Sequence, residues 1–418
     1  MATPLMLQAY ELTDYFWRKT YYFKFYLHWD PNQEKFITET NRIHNVRWYL
    51  FGLFSQFCLF AMILYLLLYG LHQPELDTML NWIVMQTFGV VNLSTLLTNL
   101  YLIKNHNGKY LFQYQNELHQ FSKSVGLRNT AGPVIGKTGL KNIIESYNKE
   151  LKQILTGGQS VDYIGVNLIG MVINFWVAAP MLVIVSAVFF HIKMPLDPFS
   201  LTVSSLFPFK EYEKLHESNV LVAVGVLVGI LISNEVARAL SLMLPVILIC
   251  LYMTAKALRR IDELHQRNCN AGLRHYKILY ILHNFGKEDT TYFLFLAMSV
   301  GYCVIGLSAS ATIMGFGKLS IAIYWFFPFV TVIGCFTMVI ALPLATRCFH
   351  VSSAMKRKWL VGVDGKGTKF HRKSVMALRR VSFYFGAMRE ITDEFKLIYF
   401  SSVIDRFMDF LLLHNTTT

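Results

Sequence analysis

Apolar residues in this chain fall into long runs rather than the alternation of half-buried strands, so the pattern predicts helices in a hydrocarbon solvent. Runs of roughly 20 residues, enough to cross about 30 Å of bilayer core, occupy Trp48 to Gly70, Asn81 to Ile103, Ile164 to Phe190, Tyr292 to Gly317 and Ser320 to Phe349. A further run, Val220 to Met253, would reach about 50 Å as one helix at about 1.5 Å per residue. Cutting it at Glu235 and Arg238 leaves halves too short to cross, so it predicts one long helix that crosses once and projects into the cytoplasm. A seventh segment, Phe395 to Leu413, carries Lys396, Asp405, Arg406 and Asp409. The first run begins too late, and is too long, for a cleavable signal peptide.

Composition agrees with a bilayer: 54% of the 418 residues are apolar, 16% charged, and mean hydropathy is +0.38. A net charge of +13 would suggest nucleic acid in a soluble protein. Its distribution points elsewhere. The segments before the first span, between the second and third, between the fourth and fifth, and from Arg347 to Arg389 hold 32 Lys and Arg, the alternate segments only 4. Basic residues flanking spans resist translocation, so the amino terminus is expected in the cytoplasm and, if the seventh segment crosses, the carboxyl terminus outside. The Asn415-Thr416-Thr417 sequon fits that side. Nucleic acid is not an expected partner.

The predicted fold is therefore all-α, a polytopic protein of seven transmembrane helices. Residues 1–47 form a cytoplasmic segment and 48–349 six spans with cytoplasmic extensions. Residues 350–394 are a cytoplasmic anchor, and 395–418 the last span with an external end. Apolar residues recur at helical spacing in Leu140 to Leu155 and in Ala257 to Phe285. These helices either gather into a cytoplasmic bundle or lie on the lipid surface, and their number favours the bundle. Gly126 to Gly139 and Gly362 to Gly367 read as breaks.

Little in the sequence points to catalysis. Cys58, Cys250, Cys303 and Cys335 sit inside apolar runs, Cys348 ends one and Cys269 lies in a basic loop, which argues against disulfides. No CxxC pair or Cys/His cluster has ligand spacing, so neither a metal nor a cofactor is expected. Gly362, Gly365 and Gly367 with Lys366 lack the phosphate-loop spacing, and Lys356, Arg357 and Lys358 follow from topology. No catalytic constellation stands out, which argues against an enzyme, and no transporter-like inverted repeat is visible.

The seventh segment is the informative one. Ile398, Ser402, Asp405, Asp409 and Leu412 are spaced 4, 3, 4 and 3 apart and share a helical face. Two carboxylates on one face need water or a protein partner. Either symmetry-related copies line a cation pore with acidic rings, or the acids pair with basic residues within one subunit. Glu235 and Arg238 are an intramembrane pair, read either as a mutual structural ion pair or as a ligand or gating contact. Trp82, Met85, Phe88, Trp176, Met181, Tyr302, Tyr324 and Trp325 concentrate in outer halves of spans, as packing and interfacial belts do, or as the lining of an apolar ligand pocket.

Lys373-Ser374-Val375, Phe383-Tyr384-Phe385-Gly386 and Ile391-Thr392, followed by the run to Leu413, resemble the end of insect gustatory and odorant receptors. Leu279, Leu282, His283, Asn284, Phe285 and Gly286 resemble that family's approach to its fifth span. The resemblance in organisation spans nearly the whole chain. Where gustatory receptors close the last helix with Thr-Tyr, five apolar residues and Gln-Phe, this chain reads Asp405 to Leu413. The resemblance implies a ligand-gated, nonselective cation channel at the plasma membrane of a sensory neuron, passing monovalent and divalent cations. It implies a homotetramer, or a heteromer with a co-receptor, joined by cytoplasmic helices, with the seventh helices around the axis. A small organic ligand would sit among spans two to six. Leu412, at the position of the family's pore-helix Gln, with Met408 and Leu411, would form the hydrophobic gate. The rivals are a G-protein-coupled receptor, disfavoured by the internal amino terminus and by missing Asp-Arg-Tyr and Asn-Pro-x-x-Tyr motifs, and a secondary transporter.

Overall fold

The structure is a computed structural model describing residues 9–15, 27–30, 33–38, 42–68, 79–105, 109–125, 202, 219–317, 324–361, 369–386 and 389–415. The third span, Ile164 to Phe190, the helix at Leu140 to Leu155 and the two glycine breaks lie outside the described residues.

The described helices are α1 (Arg42–Leu68), α2 (Met79–Lys104), α3 (Lys109–Ser124), α4 (Asn219–Arg267), α5 (Cys269–Phe285), α6 (Lys287–Met314), α7 (Phe326–Val361), α8 (Lys369–Met376) and α9 (Asp393–Asn415); α1, α2, α4, α6, α7 and α9 correspond to expected apolar runs, α4 and α7 extend well beyond theirs, and α3 matches none. Among the described residues three helical segments are long and apolar enough to cross a membrane, Ala223–Arg267, Lys287–Met314 and Phe326–Val361, with a shorter apolar stretch at Gly52–Leu66. Two antiparallel hairpins join them, β1 (Leu27–Asp30) with β2 (Lys35–Thr38), and β3 (Tyr384–Phe385) with β4 (Arg389–Glu390).

The 49-residue α4 is one helix despite Pro245. It spans about 70 Å at about 1.5 Å per residue, more than twice the hydrocarbon thickness, so it must project beyond a bilayer. From Met243 to Ala255 its residues are almost all buried, and the core forms around it, with α1, α2, α3, α5, α6 and α7 all packing on it. Several polar side chains in the apolar helices find partners within the protein, as hydrocarbon favours. Thr95 and Thr98 donate to carbonyls one turn back, Asn92 donates across to the Gln56 carbonyl of α1 (3.2 Å), and Thr331 of α7 donates to Ser308 of α6 (2.9 Å).

Helix α4 ends where Asn268 caps α5, its side chain accepting from the Ala271 N–H at 3.1 Å. Cap and turn convert the predicted stretch Ala257 to Phe285 into two helices folded against each other. At the other end of α5, a Cβ on Gly286 would stand 2.4 Å from the Tyr114 ring, so only glycine lets α3 approach here. The amino-terminal segment is more structured than its pattern indicates. The β1–β2 hairpin docks on α3 through a reciprocal pair, Phe36 N–H to Asn116 Oδ1 (2.9 Å) and Asn116 Nδ2 to the Phe36 carbonyl (3.0 Å). Tyr10, Trp29 and Phe36 cluster beneath it.

Candidate functional site

Chain geometry from α7 to α9 is set by one continuous strap. Residues 375–385 lie over α5 and α7, and their carbonyls receive side-chain donors from both helices. Tyr276 donates to the Arg379 carbonyl (2.8 Å), His283 Nε2 to that of Ser382 (2.9 Å) and Ser352 to that of Val381 (3.1 Å). Lys356 donates to Met376 and Leu378 at 3.0 and 2.8 Å. Val375, Val381 and Phe383 are buried beneath. Burial without a counter-charge lowers the His283 pKa to about 4, so the ring is neutral and donates from Nε2.

The strap then turns. Gly386 sits at φ +60°, where an L side chain is strained, and β3 and β4 close the turn. The Ile391 N–H bonds the Phe383 carbonyl (2.9 Å), and the Thr392 hydroxyl meets the Phe395 N–H at 3.4 Å, opening α9. Asp393 and Glu394 occupy the first turn, where negative charge suits the helix dipole. Asp393 also pairs with Lys396 (3.1 Å) and His350 of α7 (2.5 Å).

One side of α9 is held by α6 and α7. Phe395 and Tyr399 are buried; the Phe385 ring bridges Phe395 and Phe295, and Tyr399 donates to the Met298 carbonyl (2.9 Å). The other side is bare. Asp405 and Asp409 are exposed, Ile398, Met408 and Leu412 are 42%, 47% and 60% exposed, and Ser402 is half-buried. The predicted stripe thus lies along a broad unpacked face that also shows Leu397 and Ile404. Asp405 accepts from Ser401 at 3.4 Å, and among the described residues neither it nor Asp409 forms an ion pair. Arg406 turns toward α6, beside Gly306. The side chain of Leu411 lies outside the described residues.

Of the eight expected pocket residues, the side chains of Met85, Tyr302, Tyr324 and Trp325 are described. Met85 is buried against Leu66 between α1 and α2. Tyr302 is half-buried on α6, its ring centroid 6.4 Å from that of Tyr399. Tyr324 sits between Phe316 and Trp325, and Trp325 is 65% exposed. Trp176 and Met181, and the side chains of Trp82 and Phe88, lie outside the described residues. Glu235 and Arg238 are both buried and pair with each other one turn apart, against Gly52 of α1. That arrangement is the mutual structural pair. What the pattern left unread is the grip on α9: Phe295, Phe385 and Tyr399 carry it, and a Phe-Tyr-Phe-Gly turn entering an apolar helix was the available signal.

No family model and no curated protein matches the sequence. The chain is similar in structure to the insect olfactory receptor OR5 from Machilis hrabei, with a TM-score of 0.53, 10% identity and coverage of 98% of this chain and 97% of that one. It is likewise similar to the same receptor in complex with eugenol, with a TM-score of 0.50, 12% identity and the same coverage. This likeness is one of fold.

Proposed function

We propose that this chain, sharing the fold of an insect olfactory receptor, is a divergent chemoreceptor that works as a ligand-gated, nonselective cation channel. The observation carrying the reading is α9, gripped on one side by α6 and α7 and bare on the side that holds Asp405 and Asp409. An unpaired acidic face is costly against lipid, and four copies around an axis would give it water and ions to face. Asp405 and Asp409 then form the cation-attracting rings, lined further by Ile398 and Ser402, and Met408, Leu411 and Leu412 the apolar constriction. The amino terminus is cytoplasmic and the carboxyl terminus external.

A small organic ligand occupies the apolar region among the second to sixth spans, with Trp82, Met85, Phe88, Trp176, Met181, Tyr302, Tyr324 and Trp325 as its lining. Helix α6 joins that region to the pore, because it carries Tyr302 and also the Met298 carbonyl and Phe295 ring that hold α9. Ligand opens the pore only by binding the dilated form more tightly. Eugenol, bound in one structural neighbour, is the first compound to assay. Membrane patches expressing this chain alone, perfused with a panel of small aromatics and tastants, are expected to pass ligand-evoked cation current. Saturable uptake without current would support the transporter instead, and G-protein-dependent signalling without current the coupled receptor.

A further inference from the structure

Where α4, α5 and α8 meet, three side chains with metal-binding atoms come together although the sequence spacing shows no such cluster. His265 ends α4, Cys269 begins α5 and His371 lies on α8; the ligand atoms they offer all lie within 4.8 Å of one another. Imidazole nitrogens and a thiolate on tetrahedral zinc stand roughly 3.3–3.7 Å apart, so closure asks for about 1 Å of side-chain movement.

His265 is 6% exposed; its Nδ1 is buried without a well-formed hydrogen bond, the Cys269 backbone being the polar group beside the ring, and Nε2 of His371 is likewise buried and unpartnered. A buried imidazole nitrogen without a partner is costly, and each of the two histidines carries one that a shared ligand could satisfy. The His265 ring is also held in place. It stacks on Trp359 of α7 at 3.8 Å and 15°, and the Trp359 indole N–H is fixed by donating to Asp262 (2.9 Å). On the α5 side a Cβ on Gly272 would stand 2.9 Å from His265 Nδ1 and nearer still to its backbone, so the glycine makes room for the ring. Such fixing of a ligand by its neighbours is typical of metal sites. The nearby Lys358 is neutralised by Asp262 (2.9 Å), which lessens its repulsion of a cation. Cys269 is an exposed free thiol that completes the set from the solvent side.

We propose that His265, Cys269 and His371 bind one zinc ion, with a fourth position left to water. Two imidazoles and one thiolate suit zinc by softness and geometry, and a three-residue set leaves one place open. Bound metal ties α8 to the α4–α5 joint, at the start of the strap that leads to α9. The site does not rest on the channel reading.

The test uses the full-length protein, purified under reducing conditions in nanodiscs and stripped with chelator. Cobalt, as a spectroscopic stand-in, is expected to give a thiolate-to-metal charge-transfer band saturating at one ion per chain, and zinc to displace it. Zinc should also slow alkylation of Cys269, read on its peptide by mass spectrometry, by at least tenfold, with chelator restoring the rate. His371→Ala and Cys269→Ser, at less buried positions than His265, should each abolish the cobalt band, and His371→Ala the protection, while metal-free melting temperatures stay unchanged. Absence of the band, or its survival in His371→Ala, would overturn the assignment. Both readouts are independent of ion conduction.

Discussion

His283 shows how one residue couples the anchor to pH. Its ring is 3% exposed, donates to the Ser382 carbonyl and lies edge-on to Phe383 at 4.9 Å. With a folded-state pKa of about 4 against about 6.5 when unfolded, the unfolded chain binds the extra proton first. The contribution is therefore fully present above pH 6.5 and is lost as pH falls through that value toward 4, about 3 kcal/mol over the interval. Thermal unfolding of the purified protein between pH 7.5 and 4.5 should show this slope, and His283→Gln should flatten it. Lys287, one turn along, adds to the penalty on the charged ring.

Elements differ in how plainly they announce themselves. Helices α1, α2, α6 and α7 follow from run length alone, since a span needs little beyond some 20 apolar residues. Helix α3 lies outside the runs the pattern predicts, although Leu111, Tyr114, Leu118 and Phe121 are buried at helical spacings of 3, 4 and 3. The β1–β2 hairpin was less legible, because four-residue strands held by Asn116 depend on a partner distant in sequence. For α9 the periodicity identified one face, and the structure shows that face bare. In the channel reading, Asp409→Asn removes one acidic ring and is expected to lower conductance or relative calcium permeability severalfold, with little change in ligand sensitivity. Reversal potentials under bi-ionic conditions measure it, and unaltered permeation would remove Asp409 from the pore.

At the scale of the whole molecule, the bare α9 has a counterpart on α5. Ile278, Ile281 and Phe285 are 37%, 66% and 45% exposed at spacings of 3 and 4, an apolar stripe on a helix projected beyond the spans. Scattered exposed apolar residues need no account, but a stripe on one face suits a neighbouring copy. In the channel reading, purified protein is expected to form a fourfold particle with α9 lining the axis and α5 at subunit contacts, visible by electron cryomicroscopy. Ile281→Glu should shift native mass spectra toward smaller species while leaving the fold of each chain intact.

The amino-acid sequence by itself determined the solvent, the places of the described apolar helices and the acidic face of α9, because transfer of apolar and charged groups between water and hydrocarbon is a property of composition and period. Tertiary structure alone decided that Glu235 and Arg238 satisfy each other, that Phe295 and Tyr399 secure α9, and that His265, Cys269 and His371 share a corner. Each of those outcomes depends on how close approaching helices come and which rotamers they leave open, quantities that no local pattern encodes.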